Sequence, residues 1–204
     1  MFPLNSDYSV SFYMSRLNKR WYKKFEGGFI MQTFLPYADF KKSVACLDKK
    51  RLMSQQNECF VILDIHKKLI REHKTLGSEG LASWEKHPVT RMWWGHTRSL
   101  LDYLLFVHAR VCTEFVIGEE TASRVYEYLK EMHNSNLYGS KEPPEWFGGF
   151  IHENHQAKLL SKNPDHYGQF GWEVNPDERS WYPVEWGPKN KIGYGVSNGK
   201  SYSV

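Results

Sequence analysis

A glutamate on the apolar side of a predicted helix has the clearest chemical potential in this sequence. Glu58 falls on a stripe of positions at spacings of three and four that continues through Ile62 and Ile65. A carboxylate on such a stripe loses its hydration unless it is paired, which suits it to proton transfer or to facing a developing cation. The structural alternative is a glutamate at the helix edge that pairs with Arg51 or Arg91.

Basic and aromatic side chains gather at the start of a second predicted helix, from about Val89 to Val116. Arg91 and Arg98 are seven residues apart, which places them on one face of that helix, with Trp94 between them. Arginines near a helix N-terminus, beside an indole, suit phosphates and unstacked bases. The alternative is a solvated face with the indole in the core.

A third cluster combines two histidines with two lysines near the C-terminal end. His152 and His155 are three residues apart, and Lys158 and Lys162 follow them. Neither an acidic residue nor a cysteine completes a zinc-enzyme pattern here, so we favour capping, core packing or phosphate contact over metal binding. The sequence also lacks a P-loop, a GxSxG and a GxGxxG motif, and we expect no metal and no other cofactor.

Composition places these clusters in an ordinary folded protein. The chain has 204 residues, of which 41% are hydrophobic, 16% aromatic and 25% charged. No apolar run approaches the roughly 18 residues that a membrane span requires, so we expect no membrane association. The three cysteines are far apart and odd in number, which argues against a disulfide framework and fits a reducing cytoplasm.

The first 30 residues differ from the rest and carry much of the net charge of +4, with five basic residues against two acidic ones. They show neither a helical nor an alternating period. The codons of Glu26, Gly27 and Gly28 can spell AAGGAGG, a bacterial ribosome-binding sequence, shortly upstream of the Met31 codon. We therefore expect translation to begin at Met31, with residues 1–30 as a translated leader; the alternative is a basic arm that touches DNA or a membrane.

Periodicity and capping signals predict an all-α fold, a single compact helical domain over residues 31–204. The tail from Gly171 is aromatic-rich and contains three prolines, so we expect it to pack as irregular chain against the helices. The predicted helices share apolar stripes and recognisable caps, and they cover about 39–52, 54–72, 89–116, 121–133 and 150–160.

Three blocks of sequence carry a family resemblance over most of residues 31–167. The blocks are MQTFLPY at 31–37 with LDKKRL at 47–52 and Glu58; HPVTRMWWGH at 87–96; and FIH at 150–152 with Gln156 and KNPDHY at 162–167. In this order they resemble the pyrimidine-dimer DNA glycosylases, the phage-type endonuclease V family.

The resemblance implies a compact helical protein that binds duplex DNA containing damaged or modified pyrimidines and flips a base out of the stack. Such enzymes use the α-amino group of their own chain to attack the sugar C1′, and the resulting Schiff base permits strand cleavage without a metal. The nucleophile here would be the amine of Met31, because Gln32 is too large for routine methionine removal. We expect the protein to act as a monomer.

The same resemblance assigns the remaining site residues. Glu58 matches the family glutamate that stabilises the sugar cation and moves protons, and His96 and His152 match family histidines. The expected DNA contacts share a positive charge or an aromatic ring: Arg51, Arg91, Trp94, Arg98, His152, Lys158 and Lys162. Met31, Glu58 and His96 are the expected catalytic residues.

Two other functions are compatible with these residues. An enzyme of the same fold can cleave a different glycosidic bond, such as that of a modified base in phage DNA. A non-catalytic DNA-binding module can use the arginines and tryptophans of the second helix. Replacement of Glu58 by Gln separates the enzymes from the binding module, because only an enzyme has turnover to lose.

Overall fold

A computed structural model describes residues 33–82, 84–115, 119–148 and 151–176, and the backbone of 182–186, 190–197 and 200–202. The predicted leader and the Met31 amine lie outside these described residues. Contacts group residues 32–204 into one compact unit.

Two aspartates determine where the first helices begin. The side chain of Asp39 accepts a hydrogen bond from the Lys42 backbone N at 2.6 Å and starts α1, Phe40–Cys46. Asp48 accepts from the Arg51 N at 2.8 Å and starts α2, Lys49–Arg71. The expectation of one helix through residue 52 and a second from 54 is therefore wrong, because Asp48 caps the second helix earlier.

Helix α2 and helix α4, Thr97–Glu114, bury their apolar stripes against each other. The stripe predicted around Glu58 is confirmed, since Gln55, Glu58, Ile62, Ile65 and Leu69 are all buried. The buried face of α4 is formed by large side chains at helical spacing, namely Leu100, Tyr103, Leu104, Val107 and Val111. This contact forms the centre of the core and fixes the orientation of α2.

The predicted long helix from 89 to 116 is interrupted. A short helix α3, Pro88–Met92, ends before Gly95, whose φ of +84° is incompatible with a continuing helix, and α4 begins at Thr97. The Gly95 carbonyl accepts a hydrogen bond from the Ser140 N at 2.7 Å. A Cβ atom on Gly139 would lie 2.0 Å from that carbonyl oxygen, so the close approach requires glycine there.

The remaining helices close the fold around α2 and α4. They are α5, Glu119–Met132; α6, Ile151–Lys162; and α7, Pro164–Tyr167, with 3₁₀ turns at Asn136–Tyr138 and Gly168–Phe170. Arg124 of α5 is paired with Asp64 of α2, and Tyr128 donates to the same carboxylate, which ties these two helices together. The all-α class is confirmed for the part of the chain up to residue 176, and none of the described helices is long and apolar enough to cross a membrane.

The tail departs from the expected irregular chain. Its backbone forms a three-stranded antiparallel sheet in the order β1, Tyr182–Trp186; β2, Asn190–Ser197; and β3, Lys200–Tyr202. The strand residues are rich in aromatic and β-branched types at alternate positions, a period of two that the predicted irregular packing overlooked.

Candidate active site

The buried carboxylate of Glu58 meets the segment that leads into the first helix. Glu58 is 5% exposed, and Thr33 Oγ1 donates a hydrogen bond to its Oε2 at 3.2 Å. The carbonyl of Thr33 in turn accepts from Trp93 Nε1 at 3.2 Å, and both Thr33 and Trp93 are fully buried. Residue 33 is therefore held against Glu58 from two sides.

Helix α6 fixes the next residues of this segment. His152 Nδ1 donates to the Leu35 carbonyl at 2.7 Å, and Gln156 Nε2 donates to the Pro36 carbonyl at 2.6 Å. The backbone N of Gly148 donates to His152 Nε2 at 3.0 Å, so both ring nitrogens are engaged inside the protein. Burial also lowers the pKa of His152, which disfavours the protonated ring.

His152, which the sequence predicted as a DNA contact, is hydrogen-bonded to backbone groups inside the protein. The residue is buried, and its hydrogen bonds position the chain between residue 35 and the turn at Gly148. The sequence could not anticipate this, because both partners are backbone groups whose proximity depends on the tertiary fold.

Helices α2 and α6 bring several predicted residues together on a shared surface, which we call the α2–α6 face: Arg51, Glu58, His155, Lys158 and Lys162. Asp48 links the two helices, since its carboxylate accepts from Asn163 Nδ2 at 3.3 Å and lies 3.8 Å from Arg51 Nη1. Its backbone N also donates to the Tyr167 hydroxyl at 3.2 Å.

Positive charge accumulates on the α2–α6 face. Burial, and then the charge of Lys162, lower the pKa of Lys158 to about 8. Burial, and then the charge of Arg51, lower the pKa of Lys162, while the charge of Glu58 acts in the opposite direction. Mutually repelling cations of this kind bind a polyanion favourably, because phosphates relieve the repulsion.

A different set of predicted DNA contacts lies where α3 meets α4. We call this region the α3–α4 junction: Arg91, Trp94, His96 and Arg98 together with the loop 136–142. Arg91 Nη2 donates to the Leu76 carbonyl at 3.3 Å, and Arg98 Nη1 donates to Asn136 Oδ1 at 2.8 Å. Trp94 packs edge-on against buried His66, with ring centroids 5.1 Å apart.

The interruption between α3 and α4 also means that Arg91 and Arg98 do not lie on one face of a single helix, as their spacing predicted. The two arginines belong to different helices separated by the turn at Gly95, so a seven-residue spacing no longer aligns them. His96, the predicted catalytic histidine, precedes α4; its Nδ1 lies 3.0 Å from the Glu142 carbonyl and its backbone pairs with Gly139. In the structure these side chains join helices and loops.

The described residues contain no group of three or more histidine, cysteine, aspartate or glutamate side chains arranged to hold a metal ion. The His152-x-x-His155 pair is also poorly suited to share a metal, because both ring nitrogens of His152 are already hydrogen-bonded. The chemistry available at the site is that of a carboxylate, amines and a guanidinium.

Sequence analysis missed three residues that shape the site. Thr33 contacts the Glu58 carboxylate, Trp93 holds Thr33, and Gln156 holds residue 36. Each was visible only as a member of a family-like block, since a hydroxyl, an indole and an amide carry no spacing signal of their own. Their partners are between 25 and 120 residues away in the sequence.

The fold and the site define a helical protein that holds a buried carboxylate near a cluster of basic side chains. Residues 31–117 match the sequence model of the family described as pyrimidine dimer DNA glycosylase, so this stretch of the chain is similar to that family. The third block of the resemblance, at 150–167, lies beyond the match. No curated protein and no solved structure matches the chain.

Proposed function

We propose that the protein removes damaged pyrimidines, in particular pyrimidine dimers, from duplex DNA and then cleaves the strand at the resulting abasic site. The observation that carries this proposal is the hydrogen bond from Thr33 to Glu58. It joins the only strongly buried glutamate of α2 to a residue two positions after Met31, where the family match begins.

Covalent geometry supports an amine nucleophile at residue 31. Two residues span at most about 7 Å of chain, so in a chain that begins at Met31 the amine has at most that reach from Thr33, whose hydroxyl contacts Glu58. An α-amino group has a pKa near ~8, which leaves a useful neutral fraction at neutral pH, unlike the side chain of an ordinary lysine.

The reaction balances with groups that the chain itself supplies. The neutral amine forms a bond to C1′ of the damaged nucleotide, the bond between C1′ and the base nitrogen breaks, and the base leaves with a proton. Loss of the amine protons and opening of the sugar give a Schiff base. Removal of a C2′ proton then breaks the bond between C3′ and its phosphate oxygen, which cleaves the strand.

Glu58 assists both stages in this proposal. Its carboxylate offsets the positive charge that develops on the sugar as the base departs, and it accepts and returns protons at the amine and at C2′. Thr33 orients one carboxylate oxygen through its hydroxyl. Arg51, Lys158 and Lys162 on the same face bind the DNA phosphates in this proposal.

Arg91, Trp94, Arg98 and His96 take no direct part in this proposal. Their side chains hold the turn before α4 and the loop 136–142, so their contribution to activity is to keep Trp93, and through it Thr33, in position.

The test is turnover of ultraviolet-irradiated duplex by the wild type, Glu58→Gln and Glu85→Gln. Glu58→Gln should lose at least about 100-fold in turnover and keep its affinity for duplex DNA, because the charge and not the shape is removed. Glu85 is the matched control: it is also a buried glutamate, but it pairs with Lys68 at 2.7 Å, and its variant should retain turnover per folded molecule. Equal turnover of Glu58→Gln and the wild type would refute the proposal.

A further inference from the structure

His152 and His155, two buried histidines one turn apart on α6, differ in the hydrogen bonds that their ring nitrogens make. Both ring nitrogens of His152 are hydrogen-bonded, whereas neither ring nitrogen of His155 has a hydrogen-bond partner among the described residues. His155 is 3% exposed. A buried polar group without a partner destabilises the fold, and in native proteins such a group calls for an explanation, one of which is a partner that binds there.

The surroundings of His155 indicate what that partner is. The ring lies against Phe34, with ring centroids 6.1 Å apart, and the charged groups that act on it are Arg51 from α2 and Lys158 and Lys162 from its own helix. Burial, and then these cations together with neighbouring His152, lower the pKa of His155 to about 3. The imidazole is therefore neutral, with one N–H to donate, in a strongly cationic environment.

We infer that His155 donates a hydrogen bond to a phosphate group that binds between Arg51, Lys158 and Lys162 on the α2–α6 face. A phosphate oxygen accepts the N–H that the folded protein leaves unused, and the negative charge offsets the repulsion among the three cations. The ring is 3% exposed, so access requires side-chain rearrangements of the kind that are common when interfaces form.

The inference deepens the proposed function. It rests on that function in one respect, namely that the phosphate is assigned to DNA. A phosphodiester and inorganic phosphate offer His155 the same oxygen acceptors, and the experiment distinguishes these sources. His155 is a binding residue in this account, since Glu58 and the amine carry out the chemistry.

The first test compares stability with binding in the full chain. His155→Phe should raise the urea midpoint of unfolding, because it replaces an unpartnered polar ring by an apolar one, and should weaken undamaged-duplex binding at least about tenfold. His155→Gln keeps an N–H donor and should bind within about threefold of the wild type. The matched control, His152→Phe, should lower the urea midpoint, because it breaks the bonds to residues 35 and 148. Unchanged duplex binding by His155→Phe would overturn the inference.

The second test avoids the variants altogether. Ring-nitrogen NMR signals of His155 in the wild-type chain should shift on titration with inorganic phosphate, and they should shift at a far lower concentration of undamaged duplex. A response to duplex without any response to phosphate would overturn the phosphate assignment, and a response to neither would overturn the site. Both arms use undamaged DNA, so a protein that bound phosphate but did not act on dimers would still give the shifts and would refute only the proposed function.

Discussion

The α2–α6 face and the α3–α4 junction are both rich in basic and aromatic residues, yet the fold uses them in opposite ways. At the junction, Arg91 and Arg98 donate to acceptors within the protein, and Trp94 packs against His66. On the α2–α6 face, burial, and then neighbouring cations, lower the pKa values of Lys158 and Lys162. The first region joins parts of the fold, and in the proposed function the second binds the DNA phosphates.

The comparison shows that a basic cluster indicates nucleic-acid binding only after its internal acceptors are known. The acceptors of Arg91 and Arg98 are the Leu76 carbonyl and the Asn136 side chain, which are 15 and 38 residues away in the sequence. A helical projection of residues 89–98 cannot include such partners. Sequence spacing alone therefore does not distinguish the two regions.

The structural role of the α3–α4 junction predicts the largest effect. Gly139→Ala should lower the free energy of unfolding by about 4 kcal/mol, because its Cβ would meet the Gly95 carbonyl and its φ is +77°. Gly80→Ala is the matched control, with a φ of +72° and open space, and should cost about 1 kcal/mol. Urea unfolding measures both, and equal losses would show that the close approach at Gly95 does not stabilise the junction.

The next prediction compares the two regions directly through DNA affinity. Lys158→Gln with Lys162→Gln should weaken binding to undamaged duplex about 100-fold, from roughly 1.5 kcal/mol for each charged hydrogen bond lost. The slope of log affinity against log salt should fall by about 2, since each phosphate contact contributes about 0.9. Fluorescence anisotropy at several salt concentrations provides both quantities.

The matched variant for this comparison is Arg91→Gln with Arg98→Gln. It removes the same amount of charge from the junction, so its affinity should stay within about threefold of the wild type once the folded fraction is equal. A larger loss from the arginine pair than from the lysine pair would reverse the assignment of the two regions.

The smallest expected effect is a pH dependence that only the α2–α6 face should show. Because the pKa of Lys158 is lowered to about 8, its charge is lost as the pH rises, and duplex affinity should fall about fivefold between pH 7 and 9. Lys158→Arg stays charged and should bind with a flatter profile. Identical profiles for the two proteins would exclude Lys158 as the titrating contact.

The free energy of unfolding should rise with pH above about 8, whereas the duplex affinity falls. The folded-state pKa of Lys158 lies below its ordinary value of 10.5, so the unfolded chain holds more protons between about 8 and 10.5. Its contribution to the free energy of unfolding therefore increases as the pH rises through that window. Urea unfolding and duplex binding measured over the same pH range distinguish the effect of Lys158 on folding from its effect on DNA binding. We expect the free energy of unfolding to rise while the DNA affinity falls.

Local signals predicted the parts of the fold that depend on neighbours in sequence. The Asp39 cap, the buried stripe of α2 and the all-α class all follow from spacings of three and four residues. The interruption at Gly95 was missed because it depends on a contact with residues 139 and 140, and the early start of α2 was missed because Asp39 and Asp48 both resemble caps.

The candidate site was predicted in part for the same reason. The position of Glu58 follows from periodicity, but its contact with Thr33 is a product of the tertiary fold. The same holds for the ring of His155, which has no hydrogen-bond partner within the described part of the chain. His152 and His155 have nearly identical sequence signals. Only the backbone groups at residues 35 and 148 distinguish a histidine that is fully hydrogen-bonded from one that is not.

Borohydride trapping tests the central claim most directly, namely that an amine at residue 31 works beside Glu58. The chain that begins at Met31 and the chain that begins at Met1 are each incubated with irradiated duplex and with abasic duplex, reduced, and mapped by mass spectrometry. The account predicts a covalent adduct at the Met31 amine, in the shorter chain only. An adduct on a lysine side chain, or none from either chain while duplex binding persists, would contradict it.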